Sequence, residues 1–120
     1  MQYMLMFRPT EESIAQFERL SPQEQSQQVT VVQQWLKDNR AISFARLQPP
    51  KTAKTVRIKG SQPPVVTDGP FIEAKESIGG FALLEADSLE DALVRAKSWP
   101  PGGDVEVRPV LEPPQRQESA

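Results

Sequence analysis

The order of secondary-structure elements restricts the fold of this chain more than any other feature of its sequence. Apolar or β-branched segments bounded by proline or glycine predict strands, and capped segments with apolar residues at three- and four-residue steps predict helices. Extended segments are predicted at 2–7, 42–47, 52–58, 63–67, 81–86 and 105–110. Helices are predicted from Ser21 and from Asp87 or Ser88, and a shorter helical segment falls within 10–20.

Both main helices have a start signal and an apolar stripe. Ser21 is followed by Pro22 and by Glu24, which is the pattern of an N-cap, a first-turn proline and a capping box. In the second helix, acidic residues at 90 and 91 follow the cap and favour the positive end of the helix dipole. The two stripes consist of Val29, Val32, Trp35 and Leu36 in the first helix, and of Leu89, Ala92, Leu93, Ala96 and Trp99 in the second. Both stripes, with both tryptophans, are expected to pack on a sheet as part of the core.

These elements run as strand, helix, strand and then again strand, helix, strand, which is the split βαβ order of a ferredoxin-like sandwich. We predict an α+β fold, with an antiparallel sheet that carries two helices on one face. Segment 52–58 is expected to be the hairpin partner of segment 42–47. The other face of the sheet would stay exposed to water unless a second copy of the chain covered it, so we expect a homodimer.

Length and composition indicate one soluble domain. With 120 residues the chain has room for one hydrophobic core, which we place in residues 1–111. Residues 112–120 are polar and proline-containing and are expected to form a disordered tail. A net charge of −2, without a sustained basic surface, argues against nucleic-acid binding. No apolar run approaches the length of a membrane span or a signal sequence, so we expect a cytoplasmic protein that does not contact a membrane.

The chain contains neither cysteine nor histidine, and this limits the chemistry it can perform. Disulfides, thiolate nucleophiles, thiolate or imidazole metal ligands and histidine-based catalytic dyads are all excluded. No loop shows the spacing of a carboxylate metal site. We therefore predict no metal and no cofactor, and any chemistry must use carboxylates, Arg, Lys, Tyr or Ser.

One segment carries a family resemblance. Residues 66–76, VTDGPFIEAKE, followed by IGGF at 78–81, closely resemble the signature of the YCII-related proteins that carry the DGPF motif. The resemblance extends over nearly the whole chain, with further matches at 47–50, 84–87, 90–93 and 103–110. It implies a ferredoxin-like fold that pairs as a dimeric α-β barrel.

The resemblance also indicates what kinds of function to consider. Some genes for similar proteins lie beside extracytoplasmic-function sigma factors, and distant relatives resemble muconolactone-isomerase-type enzymes that act on small acids. Those relatives often pair an aspartate with a histidine in their site. This chain has no histidine, so only the aspartate, Asp68, corresponds to that pair.

The candidate site is a cleft beside the turn that starts at Asp68. Its predicted members are Asp68, Gly69, Pro70 and Phe71, together with Arg46 and Arg57. An arginine that points inward from a strand would suit a small carboxylate ligand by bidentate pairing, and Arg108 on the last strand is a third such residue. Asp68 itself supports two interpretations: a carboxylate at the mouth of a cleft, or an Asx-turn residue that supports only the fold.

Three functions follow from these residues. The first is binding of a small organic acid in a cleft beside the Asp68 turn. The second is a cofactor-independent lyase or isomerase that uses Asp68 as base. The third is a non-catalytic regulatory or scaffold dimer linked to sigma-factor-controlled transcription.

Overall fold

A computed structural model of the chain describes residues 1–70 and 78–113. Its strands are β1 Gln2–Arg8, β2 Ser43–Arg46, β3 Lys54–Arg57, β4 Val65–Asp68, β5 Gly80–Glu85 and β6 Asp104–Pro109. Its helices are α1 Glu11–Arg19, α2 Pro22–Asp38 and α3 Leu89–Lys97, with a 3-10 turn at Pro50–Thr52. No helix within these described ranges is long and apolar enough to cross a membrane.

Four strands form the main sheet, in the order β2-β5-β1-β6, and all neighbours in it are antiparallel. β1 lies in the middle, where Leu5 is opposite Ala82 of β5 on one side and Val107 of β6 on the other. This is the strand order that two interleaved split βαβ units produce. The α+β, ferredoxin-like fold predicted from the sequence is confirmed.

The core lies on one face of this sheet. Alternate residues of β1 and β5 are buried there, as the period of two in a strand requires, and the helices contribute Trp35 and Ala92. The fully or nearly buried side chains are Tyr3, Leu5, Phe7, Trp35, Ala82, Leu84, Ala86 and Ala92. Trp99 packs against this cluster and is half-buried. The prediction that both tryptophans belong to the core is therefore confirmed.

Capping residues start the helices where the sequence predicted. The Ser21 hydroxyl accepts a hydrogen bond from the Glu24 amide at 3.2 Å, and the Glu24 carboxylate accepts one from the Ser21 amide at 3.1 Å. At α3, Ser88, one of the two predicted candidates, is the cap, and its hydroxyl accepts a hydrogen bond from the Asp91 amide at 3.1 Å. The segment 10–20, for which the sequence signal was weak, forms α1 with Thr10 as its cap.

The apolar stripes reach the sheet only in part. In α2 the buried residue is Trp35 near the carboxyl end, whereas Val29 remains 39% exposed. In α3 Ala92 is buried, while Leu89 and Leu93 are exposed. The expectation that each whole stripe packs on the sheet was wrong, because each helix meets the sheet over only part of its length.

The predicted hairpin between segments 42–47 and 52–58 was also wrong. β2 pairs with β5 instead, and β3 pairs with β4 to form a separate two-stranded sheet. The proline pair at 49–50 and the 3-10 turn end the first segment and redirect the chain before β3 begins. The β-branched residues of β3 then find their partners in the next extended segment rather than in the previous one.

The sheet face opposite the core carries a row of apolar side chains. Met4 lies opposite Leu83, and Met6 lies opposite Phe81, on the residues of β1 and β5 that alternate with the core residues. All four side chains are half-buried. We call these four residues the open face. The buried residues that the helices contribute all belong to the core on the other side.

Candidate functional site

Asp68 is the last residue of β4 and lies opposite Lys54, the first residue of β3. Its carboxylate forms an ion pair with the Lys54 ammonium, and 88% of the Asp68 side chain is exposed. Such a surface pair contributes little to folding, because water solvates both charges and salt screens them. Asp68 therefore stands at the surface as an accessible charged group.

The backbone after Asp68 is fixed by two hydrogen bonds. The Gly69 amide donates to the Ala53 carbonyl oxygen at 2.8 Å, and the Thr55 hydroxyl donates to the Gly69 carbonyl oxygen at 2.7 Å. Gly69 has φ +91°, a conformation that favours glycine. Pro70 follows and is exposed, and Phe71 lies outside the described residues. These bonds hold the Asp68 turn in one geometry against the start of β3.

The structure does not bring the predicted arginines together with Asp68 within one chain. Arg57 lies opposite Val65 at the other end of the same hairpin, and strand alternation places it on the face away from Asp68. Arg46 ends β2 in the main sheet, opposite Gly80. Both arginines are exposed. The third candidate, Arg108, forms an ion pair with Glu106 at 2.6 Å.

Lys54 is the residue that the sequence analysis did not select. It stands beside Asp68 because the register of β3 and β4 aligns the two residues. A predicted hairpin between segments 52–58 and 63–67 would have placed Lys54 close to Asp68. The signal for it was present, since both segments contain β-branched residues and a glycine lies between them. Assigning 52–58 to the preceding strand concealed it.

The β3–β4 hairpin and its flanks, residues 50–70, form a projecting unit that we call the arm. It carries Lys51, Lys54, Arg57 and Lys59, with Asp68 as its one acidic residue, which gives a charge of +3. Every residue of β4 is exposed, and in β3 only Thr55 is half-buried. The arm is thus a cationic surface with one carboxylate at its turn.

Shallow clefts lie elsewhere in the described part of the chain. One, of about 400 Å³, is lined by Met1 and residues 109–112 at the end of β6. The other, of about 260 Å³, lies between α3 and β6 and includes Leu93, Trp99 and Val105 in its lining. Asp68 lines neither of them. A general base needs a reacting group held against it. Neither of these clefts can hold such a group against Asp68, because Asp68 lines neither.

Residues 1–70 and 78–113 contain no group of three or more aspartates and glutamates positioned to hold a metal ion. What the arm presents is a set of cations, one fixed turn and one exposed carboxylate. Such a surface attracts small anions by charge and can orient them by hydrogen bonding.

The chain is similar to known proteins over most of its length. The family model described as the YCII-related domain matches residues 1–113. An uncharacterised protein of Rhizobium meliloti (strain 1021) is 41% identical over 70 residues, which cover 55% of this chain and 56% of that protein. The chain thus spans a little over half the length of this curated relative.

Proposed function

Because the chain belongs to the YCII-related family, we propose that it is a homodimeric member of the DGPF-carrying group that binds a small organic acid beside the Asp68 turn. The observation that carries this proposal is the cationic arm. The arm carries four basic residues and a single carboxylate, while the remaining residues of the chain carry a charge of −5, since the whole chain has −2 and the arm +3.

A carboxylate ligand would pair with the cations of the arm. Lys51, Arg57 and Lys59 take part in none of the ion pairs formed among residues 1–70 and 78–113. Arg57 lies at the other end of the hairpin and on its other face, so it adds to the positive field, and Lys54 is the cation next to Asp68 that a ligand would contact. Lys54 is held by Asp68, which fixes where its ammonium lies. The cations of the arm thus provide both attraction and a defined point of contact.

Asp68 has a separate part in this proposal. Its carboxylate positions Lys54 and also accepts a hydrogen bond from a hydroxyl or N–H group of the ligand. The fixed Gly69 turn keeps that carboxylate in place. The preferred ligand is therefore a small acid with a second polar group, such as a hydroxy acid.

The two other functions have less support. An isomerase or lyase needs Asp68 at the wall of a pocket, and the carboxylate is instead exposed and paired with Lys54. A scaffold in which Asp68 only supports the turn would have its carboxylate bonded to backbone amides. The bonds that fix the turn involve Gly69, Ala53 and Thr55 rather than that carboxylate.

The proposal is tested by thermal shift. Wild type, Asp68→Asn and Lys54→Gln are melted with and without benzoate, salicylate, lactate and succinate. We expect at least one acid to raise the Tm of wild type, because a ligand that binds only the folded state stabilises it. Both variants should keep their fold and lose most of that increase.

Matched controls identify the arm as the site. Lys97→Gln and Asp38→Asn remove the same charges from α3 and α2, and both should retain the full ligand shift. A smaller shift in Lys97→Gln together with a larger one in Asp38→Asn would mean that net charge alone governs binding, since these two changes alter the net charge in opposite directions. If Asp68→Asn melts several degrees lower and no acid stabilises either protein, Asp68 has a structural role and acid binding is rejected.

A further inference from the structure

The polar backbone groups of the turn after Asp68 are already bonded within the arm. The Gly69 amide donates to the Ala53 carbonyl oxygen at 2.8 Å, and the Gly69 carbonyl oxygen accepts from the Thr55 hydroxyl at 2.7 Å. The next residue is a proline, which has no N–H to donate. A ligand at this turn therefore meets the side chains of Lys54 and Asp68.

The contact between these two side chains restricts the shape of the ligand. The Lys54 ammonium and the Asp68 carboxylate form an ion pair, so a ligand that bonds to both must carry its own polar groups close together. The ammonium donates to a carboxylate of the ligand, and the Asp68 carboxylate accepts from a hydroxyl. In a 2-hydroxy acid these groups are on neighbouring carbon atoms, whereas a further carbon separates them in a 3-hydroxy acid.

An apolar pair continues the same face of the hairpin. Val56 lies opposite Val66, and each is two residues from the Lys54 and Asp68 pair, so all four side chains share one face. The two pairs lie about 7 Å apart along the strands. The valine side chains are 55% and 62% exposed. An apolar side chain of the ligand would cover part of this surface while its polar groups remain at the turn.

We infer that the site takes a 2-hydroxy acid with an apolar side chain. Its carboxylate binds the Lys54 ammonium, and its hydroxyl donates to the Asp68 carboxylate. Its side chain lies on Val56 and Val66. This inference rests on the proposed function and narrows the ligand from small organic acids in general to one class of them.

Thr55 is a positioning residue of this site. It is half-buried, and its hydroxyl holds the carbonyl group of Gly69, the residue that follows Asp68. This bond limits where the Asp68 carboxylate stands relative to Lys54. Recognition of the spacing between hydroxyl and carboxylate depends on that geometry, whereas attraction of the ligand's charge to the arm does not.

Isomeric acids test the spacing. Lactate and 3-hydroxypropionate have the same charge and composition and differ in the position of the hydroxyl. Their dissociation constants are measured by NMR titration, from the amide shifts of Lys54 and Gly69. We expect lactate to bind about fivefold more tightly, which corresponds to one additional hydrogen bond. Equal dissociation constants for the two isomers would overturn the inference.

Threonine variants test the role of Thr55. Thr67 lies opposite Thr55 in the register and is exposed, so Thr67→Val is the matched control. At a temperature where all variants are folded, Thr55→Val should reduce the preference for lactate to less than about twofold. Thr67→Val and Thr55→Ser should keep the preference. Equal weakening of both isomers in Thr55→Val would show a structural role alone and would overturn the positioning role.

A longer acid tests the valine contact. We expect 2-hydroxy-4-methylpentanoate to bind about fivefold more tightly than lactate, because its side chain covers the valines. Val66→Thr keeps the shape of the side chain and makes it polar, so it should remove most of this gain and leave the preference between the isomers. Val94→Thr, at an exposed position of α3, is the control. A gain that Val66→Thr does not reduce would overturn the apolar contact.

The results distinguish failure of this inference from failure of acid binding. Acids that bind at the arm without preference between the isomers would reject the 2-hydroxy acid class and keep the proposed function. Wild-type protein that shows no saturable binding of any of these acids would reject both.

Discussion

The rings of Phe7 and Trp99 are stacked, with their centroids 3.8 Å apart and their planes 10° from parallel. Phe7 belongs to the central strand, and Trp99 follows the last turn of α3, so this contact joins a helix to the middle of the sheet. Trp35 of α2 meets Trp99 edge-on at 5.0 Å and donates a hydrogen bond from its Nε1 to the Ser98 hydroxyl. The aromatic cluster thus fixes both α2 and α3 on the same sheet face.

Removing the Trp99 ring should cost the fold about 3 kcal/mol of unfolding free energy, because the change leaves a cavity against Phe7 and Trp35. The measurement is chemical denaturation of Trp99→Ala. Val94→Ala in the same helix is the control, since Val94 is 65% exposed and should change stability by less than about 0.5 kcal/mol. Equal effects from the two substitutions would show that the aromatic cluster does not hold α3.

Two neighbouring glycines before β6 should respond differently to alanine. Gly102 and Gly103 have φ +73° and +85°, which strains any side chain, but a Cβ at Gly103 would also lie 2.7 Å from the Arg8 carbonyl oxygen. A Cβ at Gly102 meets nothing within 4 Å. Gly103→Ala should therefore lower the Tm more than Gly102→Ala, which carries the backbone strain alone. An equal fall in Tm for both variants would contradict the close approach of Gly103 to the end of β1.

The first turn of α2 should become less stable in acid. The pKa of the Glu24 carboxyl lies below its usual range, because the Ser21 backbone amide and then its hydroxyl hydrogen-bond to the charged form. A lowered folded-state pKa means that the stabilisation is present above the ordinary value near 4.5 and is lost as the pH falls through the folded-state value. An NMR titration of the Glu24 carboxyl should give a midpoint below 4.5.

Glu24→Gln separates the charge from the hydrogen bond at this cap. The amide retains the reciprocal capping bond, so the amide resonances of the first turn should lose their acid-dependent shift while the helix persists. Ser21→Ala removes the cap itself and should cost about 1 kcal/mol of helix stability. An unchanged acid profile in Glu24→Gln would show that another group titrates there.

Local signals in the sequence were sufficient for the main fold. Ser21 caps its helix where its spacing to Glu24 predicted, Ser88 is the cap of α3 out of the two candidates Asp87 and Ser88, and the alternation of Val105 and Val107 identified the last strand. The strand pairing of the arm was not predictable in the same way. Segment 52–58 has β-branched residues that suit either neighbour, and the choice depends on where Pro49 and Pro50 direct the chain.

The candidate site was predicted less well than the fold, because a site depends on register and on long-range proximity. The turn at Asp68 and Gly69 follows from local composition, and the structure confirms a positive φ at Gly69. The Lys54 partner depends on the register of one hairpin, which the sequence analysis assigned to the wrong strand. Arg46 and Arg57 were selected because they are arginines on predicted strands, and neither property determines which side of a strand meets Asp68.

Neutralising Asp68 should leave folding almost intact. Its ion pair with Lys54 is exposed, and the turn is fixed by bonds of Gly69 instead, so Asp68→Asn should change the unfolding free energy by less than about 1 kcal/mol. Thr55→Val removes the hydroxyl that donates to Gly69 and should be the more destabilising of the two. Denaturation curves of both variants make the comparison, and the opposite ranking would favour a structural role for the Asp68 carboxylate.

The most direct test of acid binding at the arm is an NMR titration of the uniformly labelled protein with an acid that raises its Tm. The proposal predicts saturable shifts centred on the amides of Lys54, Thr55 and Gly69, absent in Asp68→Asn and weakened by added salt. Shifts confined to the cleft at Met1 and Leu111, or to that between α3 and β6, would contradict acid binding beside the Asp68 turn.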